Sequence, residues 1–114
     1  GLSSVLELTF TKTVHAMSIT LAAPLEVEDN ISVAILSVLG SIPEDASYQV
    51  LVTNNAKDDS PVWEDATSAI QSGANIVFTN KTAANGPAFN FKLTASRGES
   101  DAGGYVKLLK GAFQ

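Results

Sequence analysis

Apolar and polar residues alternate with a period of two over most of this chain, which is the pattern of β-strands with one buried face. Leu6, Leu8 and Phe10 are separated by polar residues and share one face of the first predicted strand. The same alternation returns over residues 17–22, 48–53, 76–78, 89–95 and 105–109. Turn-forming residues separate these segments, so the pattern predicts short strands joined by loops.

Residues 31–39 are almost continuously apolar, which is typical of a strand covered on both faces or of a helix. The β-branched residues Ile31, Val33 and Ile35 favour a strand, because their stiff side chains pack well on a pleated surface. Gly40 is a suitable end for this strand. We therefore expect a largely buried strand here.

The longest interval without strand-like alternation lies between the segments at 48–53 and 76–78. Asp65 is a candidate N-cap for one short helical turn near residues 65–71, and Gly73 is a candidate stop. Trp63 is the only tryptophan and closely follows Pro61. We expect its ring to insert into the core just before the helical turn.

These elements predict an all-β fold, an antiparallel β-sandwich of seven or eight strands that is immunoglobulin-like or of jelly-roll type. No long helices alternate with the strands, which excludes a parallel α/β sheet. At 114 residues, the chain is long enough to bury a core of its own. We therefore predict a single domain over residues 1–114.

The charge balance narrows the range of partners. The chain carries a net charge of −5 and its seven cationic residues are scattered, so neither nucleic acid nor an anionic membrane surface is expected as a partner. The apolar runs are too short to cross a bilayer, and we expect no signal peptide. The absence of cysteine excludes disulfides, thiolate metal sites and a cysteine nucleophile.

The candidate catalytic groups are sparse. His15 is the only histidine, and the chain contains no G-x-S-x-G nucleophile motif that it could serve. The acidic pair Asp58–Asp59 lies in a predicted loop, where adjacent side chains point apart and are usually solvated. We therefore predict a protein that is not an enzyme and that needs no cofactor.

Two groups of residues are candidates for ligand binding. Trp63 and Tyr48 could stack on a sugar, although insertion into the core is the favoured interpretation for Trp63. The loop residues Asn54, Asn55, Asp58 and Asp59 could present polar groups to a ligand. Together with Glu64 and Asp65 they offer oxygen ligands for calcium, but the EF-hand spacing is absent. A solvated loop without a metal is the favoured prediction.

The segment NNAKDDSPVWEDAT (residues 54–67) and the following stretch at 73–98 resemble small β-sandwich domains of bacteriophage virion proteins. Those domains belong to tail, baseplate or head-appendage proteins. The resemblance implies a structural or decoration role in a virion, exercised through protein–protein assembly. It implies self-association or binding to other virion proteins as the mechanism, and the virion as the location.

The sequence also suggests where such an interface would form. Two apolar groups exceed what a solvent-facing strand needs, namely Ala34, Leu36 and Val38 in one strand and Leu108, Leu109 and Phe113 near the C-terminus. A neighbouring protein could cover these residues in an interface, or they could be buried within the monomer. The alternative function is a carbohydrate- or cell-surface-binding module of a fibre or adhesin, which would use a surface glycan as its partner.

Overall fold

The structure is a computed structural model that describes residues 4–13, 16–41, 45–96 and 105–114, with side chains at 18–38, 45–96 and 111–114. In chain order the elements are β1 (Ser4–Thr13), β2 (Ala16–Thr20), β3 (Leu25–Glu26), β4 (Val33–Ser41), β5 (Ser47–Thr53), β6 (Glu64–Asp65), α1 (Thr67–Ser72), β7 (Ile76–Val77), β8 (Ala88–Ser96) and β9 (Tyr105–Phe113).

The strands form two sheets. The first sheet has the order β1-β9-β4-β7, and the second has the order β2-β8-β5-β6, with β3 pairing with β8 as well. All the strand pairs are antiparallel. The predicted all-β antiparallel sandwich with one short helix is therefore confirmed, while the choice between immunoglobulin-like and jelly-roll type stays a prediction.

Strand β8 shows why the alternation in the sequence produces this fold. Phe89, Phe91 and Leu93 are fully buried. Lys92, which lies between Phe91 and Leu93, and Thr94, which follows Leu93, are exposed. Successive side chains of a strand point to opposite faces, so one face of β8 lies against the core and the other faces solvent. Each fully buried side chain of this size contributes about 1.5–3 kcal/mol of hydrophobic stabilisation.

The core joins the two sheets directly. The rings of Phe89 in β8 and Phe113 in β9 have centroids 4.5 Å apart, so an aromatic contact crosses from one sheet to the other. Helix α1 packs against β4 and β5. Its residues Ala69 and Ile70 are partly buried against the core, so the helix covers one side of the sandwich.

The start and end of α1 follow local rules. The backbone N–H of Thr67 donates a 2.9 Å hydrogen bond to Asp65 Oδ1, although Ala66 holds the N-cap position, one residue later than predicted. Gly73 ends the helix with a φ of 71°, as predicted, because glycine adopts the left-handed conformation without a Cβ clash.

The interface predicted from the sequence is wrong for three of its residues. Ala34, Leu36 and Phe113 belong to the core, so they have no surface to offer a partner. Val38 is partly buried against the same core. The backbone of Leu108 and Leu109 lies in β9, but their side chains lie outside the described residues.

For Ala34 and Leu36, the error concerns which face of β4 points into the core. Both faces of the strand are apolar in sequence, so composition alone does not show which face is inside. The structure turns Ala34 and Leu36 inward and leaves Val33 and Ile35 half-buried on the outer face. A shift of one residue exchanges the two faces of a strand completely.

Candidate binding surfaces

The loop after β5 is held by a buried asparagine. Asn54 is only 4% exposed, and its Nδ2 atom donates hydrogen bonds to the carbonyl oxygens of Ile31 at 2.8 Å and Asn80 at 2.9 Å. Its Oδ1 atom accepts a 2.8 Å hydrogen bond from Asn80 Nδ2. The Asn54 amide therefore has partners for both of its donor hydrogens and for its oxygen.

The side-chain amide of Asn55 also makes hydrogen bonds inside the protein. Its Oδ1 atom accepts hydrogen bonds from Thr53 Oγ1 at 2.8 Å and from the Val62 N–H at 2.9 Å. Its Nδ2 atom donates a 3.0 Å hydrogen bond to Asp58 Oδ2. The sequence singled out Asn54 and Asn55 as ligand-binding residues, but the structure shows them organising the loop, with their hydrogen-bonding groups already engaged.

Asp58 joins this loop to the segment that precedes β8. Its carboxylate accepts hydrogen bonds from the backbone N–H groups of Asn85 at 2.8 Å and Ala84 at 3.1 Å, in addition to the one from Asn55. The Asn85 backbone bond, followed by the Asn55 side chain, lowers the pKa of Asp58. A carboxyl group held ionised in this way is poorly suited to donate a proton to a substrate. The neighbouring Asp59 is exposed and accepts no hydrogen bond within the described part of the chain.

The remaining candidate calcium ligands are also used within the fold. Glu64 accepts hydrogen bonds from the Thr79 N–H at 2.9 Å, from Thr79 Oγ1 at 3.0 Å and from the Asn80 N–H at 3.2 Å. The backbone bond from Thr67 is the main cause that lowers the pKa of Asp65. Among the described residues, no cluster of three or more His, Cys, Asp or Glu side chains could hold a metal ion.

Trp63 does not insert between the sheets, so the predicted core position is wrong. Its ring is half-buried outside the core cluster, and Lys92 Nζ lies 4.1 Å from the ring centroid. Lys92 is on the exposed face of β8, which places the indole against the outer face of the second sheet. The core is already filled by phenylalanine and leucine side chains, so it needs no tryptophan.

Tyr48 occupies a different place from Trp63. It lies opposite Ala95 in the second sheet and is half-buried against the core, and burial raises the pKa of its hydroxyl group. Beside it is an open depression of about 520 Å³. The depression is lined by Ser18, Ser47, Tyr48, Gln49, Thr94, Ala95 and Ser96. The sequence named Tyr48 but missed the serines and threonine around it, because isolated hydroxyl residues in strands carry no motif.

The outer face of the first sheet carries an apolar patch that the sequence analysis missed. Val77 is 65% exposed and lies opposite Val33 in the ladder between β4 and β7. Half-buried Ile35 lies opposite half-buried Ala112 on the same face. These four residues, Val33, Ile35, Val77 and Ala112, are referred to below as the apolar patch. The sequence carries no sign of this patch, because β4 is apolar on both faces.

Comparison of the chain with family models, with curated proteins and with solved structures gives no match. Within the described ranges, no helix is long and apolar enough to span a membrane. The fold is therefore established by the structure alone, and any function has to be argued from the surfaces described above.

Proposed function

We propose that this domain is a non-enzymatic assembly module that self-associates through the apolar patch on the outer face of its first sheet. The resemblance of residues 54–67 and 73–98 to virion domains suggests the setting, a structural or decoration protein of a phage virion. In that setting a neighbouring virion protein is a further partner. The observation that carries the proposal is the 65% exposure of Val77, which lies opposite the half-buried Val33 in the ladder between β4 and β7.

The arrangement of the patch supports this proposal. A single exposed valine on a protein surface needs no explanation, but Val77 is bordered by apolar side chains that are half-buried and still reach solvent, and contiguous apolar surface is typical of interaction sites. Val77 and Val33 are direct cross-strand partners, and Ile35 follows two residues later on the same face. A second copy of the chain could cover these side chains and remove them from water, which is the main driving force in protein association.

The edge of the first sheet offers a second means of assembly. Strand β1 spans ten residues and pairs with β9 on one side. Among the described residues, no strand pairs with its other side. A long unpaired edge presents backbone N–H and C=O groups that another strand can bond, and monomeric proteins usually protect such edges.

The polar loops support a non-enzymatic role. Asp58, Glu64 and Asp65 each accept hydrogen bonds from backbone N–H groups of the fold. Catalytic carboxylic acids usually have a raised pKa in a cleft, whereas the pKa values of Asp58 and Asp65 are lowered. These hydrogen bonds hold the loops in position.

Light scattering after size exclusion, over a range of protein concentrations, tests the proposal. We expect the wild-type mass to exceed the monomer value of 11.9 kDa and to rise with concentration. Val77→Asp should shift the protein toward the monomer, because a buried unpaired carboxylate is unfavourable.

Val62→Asp is the matched control. Val62 is 41% exposed but lies in the loop before β6, outside the apolar patch, so this variant should keep the wild-type mass. A wild-type mass of 11.9 kDa at every concentration would contradict self-association. Equal dissociation by both variants would show that charge in general, and not the patch, controls assembly.

A further inference from the structure

The outer face of the second sheet differs from the apolar patch in chemistry. Ser18 and Gln49 lie on either side of Thr94 in the paired strands, which makes a row of three exposed polar side chains. Ser47 and Ser96 face each other in the same ladder, two residues further along. These five residues line the open depression of about 520 Å³.

Most hydrogen-bonding groups of this surface have no partner among the described residues. The hydroxyl groups of Ser18, Ser47, Thr94 and Ser96 make no hydrogen bond within the described part of the chain. Gln49 uses its Nε2 atom to donate to Asp65 and leaves its Oε1 atom available. The contrast with Asn54 and Asn55 is direct, since their side-chain amides are occupied by partners inside the protein.

The described residues that line the depression are also uncharged. None of its seven lining residues is acidic or basic, although the chain as a whole carries a net charge of −5. Among these described residues, a phosphate, a peptide terminus or a polycation would find no counter-charge. A neutral molecule with many hydroxyl groups can both donate to and accept from serine, threonine and glutamine side chains.

An aromatic ring lies on the same face of the second sheet as this row. Lys92 is two residues before Thr94 in β8, on the same exposed face, and its Nζ atom lies 4.1 Å from the centroid of the Trp63 ring. The indole therefore lies on the same face of the sheet, beyond the residues that line the depression. The cation–π contact holds the indole on the outer face of the sheet. The negative face of an aromatic ring also attracts the polarised C–H groups of a sugar ring.

From this juxtaposition we propose that the outer face of the second sheet binds a neutral saccharide. The saccharide lies in the depression formed by Ser18, Ser47, Gln49, Thr94 and Ser96. The hydroxyl and amide groups hydrogen-bond the sugar hydroxyls, and the indole, further along the same face, provides a stacking surface for a ring of an oligosaccharide that extends toward Lys92. This site lies on the opposite sheet from the apolar patch, so the proposal does not depend on self-association.

Nuclear magnetic resonance titration of the ¹⁵N-labelled full chain tests this site. The probes are maltotetraose, cellotetraose and N-acetylchitotetraose, each added up to about 10 mM, a range that detects a dissociation constant on the order of 1 mM. We expect at least one probe to shift the backbone amide signals of residues 18, 47–49 and 94–96. The indole N–H signal should move with them, and it is unambiguous because Trp63 is the only tryptophan.

A matched pair of serine variants separates a binding role from a general effect. Ser18→Ala in the depression should weaken binding about fivefold, the usual effect of losing one hydrogen bond, and Thr94→Val should do the same. Ser37→Ala removes an equally exposed strand hydroxyl from the outer face of the first sheet, and it should leave the affinity unchanged. The spectrum of each variant also shows whether it is folded.

The absence of shifts with all three probes would overturn the proposal. Shifts confined to the first sheet, or an equal loss of affinity in Ser18→Ala and Ser37→Ala, would overturn it as well. Val77→Asp should keep the affinity of the wild type. A chain that binds the saccharide but stays monomeric therefore supports this site and contradicts the self-association.

Discussion

Asn54 and Asn80 are joined by two hydrogen bonds, each donated by the side-chain amide of one residue to the other residue. Asn80 Nδ2 donates a 2.8 Å hydrogen bond to Asn54 Oδ1, while Asn54 Nδ2 donates a 2.9 Å hydrogen bond to the Asn80 carbonyl oxygen. The third bond of Asn54, to the Ile31 carbonyl oxygen, brings in the segment that precedes β4. One buried amide therefore joins three segments that are far apart in the sequence.

The buried asparagine should be sensitive to truncation. Asn54→Ala leaves the carbonyl oxygens of Ile31 and Asn80 without this donor in a buried environment, so we expect a loss of about 2–4 kcal/mol in the free energy of unfolding. Urea denaturation followed by circular dichroism measures this change.

Asn30→Ala is the control for Asn54→Ala. Asn30 also donates to a backbone carbonyl, that of Lys81 at 3.3 Å, but it is exposed, so its removal should change stability by less than about 0.5 kcal/mol. Similar losses for the two variants would contradict the structural role of the buried pair.

Asp58 should contribute to the acid sensitivity of the fold. Its pKa is lowered in the folded protein, so its stabilising effect is complete above the ordinary aspartate value of 3.8 and is lost as the pH falls below it. We expect Asp58→Asn to be less stable than the wild type near neutral pH. The difference between the two proteins should shrink as the pH is lowered from about 5 to about 2, since protonation removes the same acceptor.

Denaturation curves measured across this pH range test the prediction for Asp58. Asp59→Asn is the matched control, because the exposed Asp59 carboxylate accepts no hydrogen bond within the described ranges. Its stability should follow that of the wild type. A constant difference between Asp58→Asn and the wild type at all pH values would show that ionisation of this carboxyl group is irrelevant.

Gly73 should resist substitution for a backbone reason. Its φ of 71° is in the left-handed region, while a Cβ atom would meet nothing within 4 Å, so space is not the limiting factor. We expect Gly73→Ala to destabilise the fold by about 1 kcal/mol, and Gly73→Asn to cost less because asparagine tolerates this conformation better. Thermal denaturation of both variants measures the order. A stabilising Gly73→Ala substitution would contradict the assigned end of α1.

The contact between Lys92 and Trp63 should be measurable as a coupling energy. A double-mutant cycle of Lys92→Met and Trp63→Leu should give about 0.5–1 kcal/mol, the usual range for a partly exposed cation–π pair. Trp63→Leu combined with Ser37→Ala, on the other sheet, should be additive. A coupling energy of zero between Lys92 and Trp63 would mean that the indole is not held against β8.

Much of the fold could be predicted from local pattern. Phe89, Phe91 and Leu93 alternate with polar residues and form a half-buried strand as expected, because the period of two is a local property of the extended backbone. Gly73 ends the helix as expected, because its conformation depends on its own missing side chain. The position of Trp63 was predicted wrongly, since nothing local shows that the core is already full.

The sequence by itself determined seven of the nine described strand segments and that the protein is an all-β sandwich. It carried no sign of the two-residue strands β3 and β6, which are defined by their pairing with β8 and β5. Only the tertiary structure decided that Val33, and not Ala34, faces outward, because a strand that is apolar on both faces carries no local mark of its inner side. Tertiary structure also placed Asn80 beside Asn54, and Ser18 and Gln49 on either side of Thr94. These contacts join residues far apart in the chain, and their formation depends on how the sheets assemble.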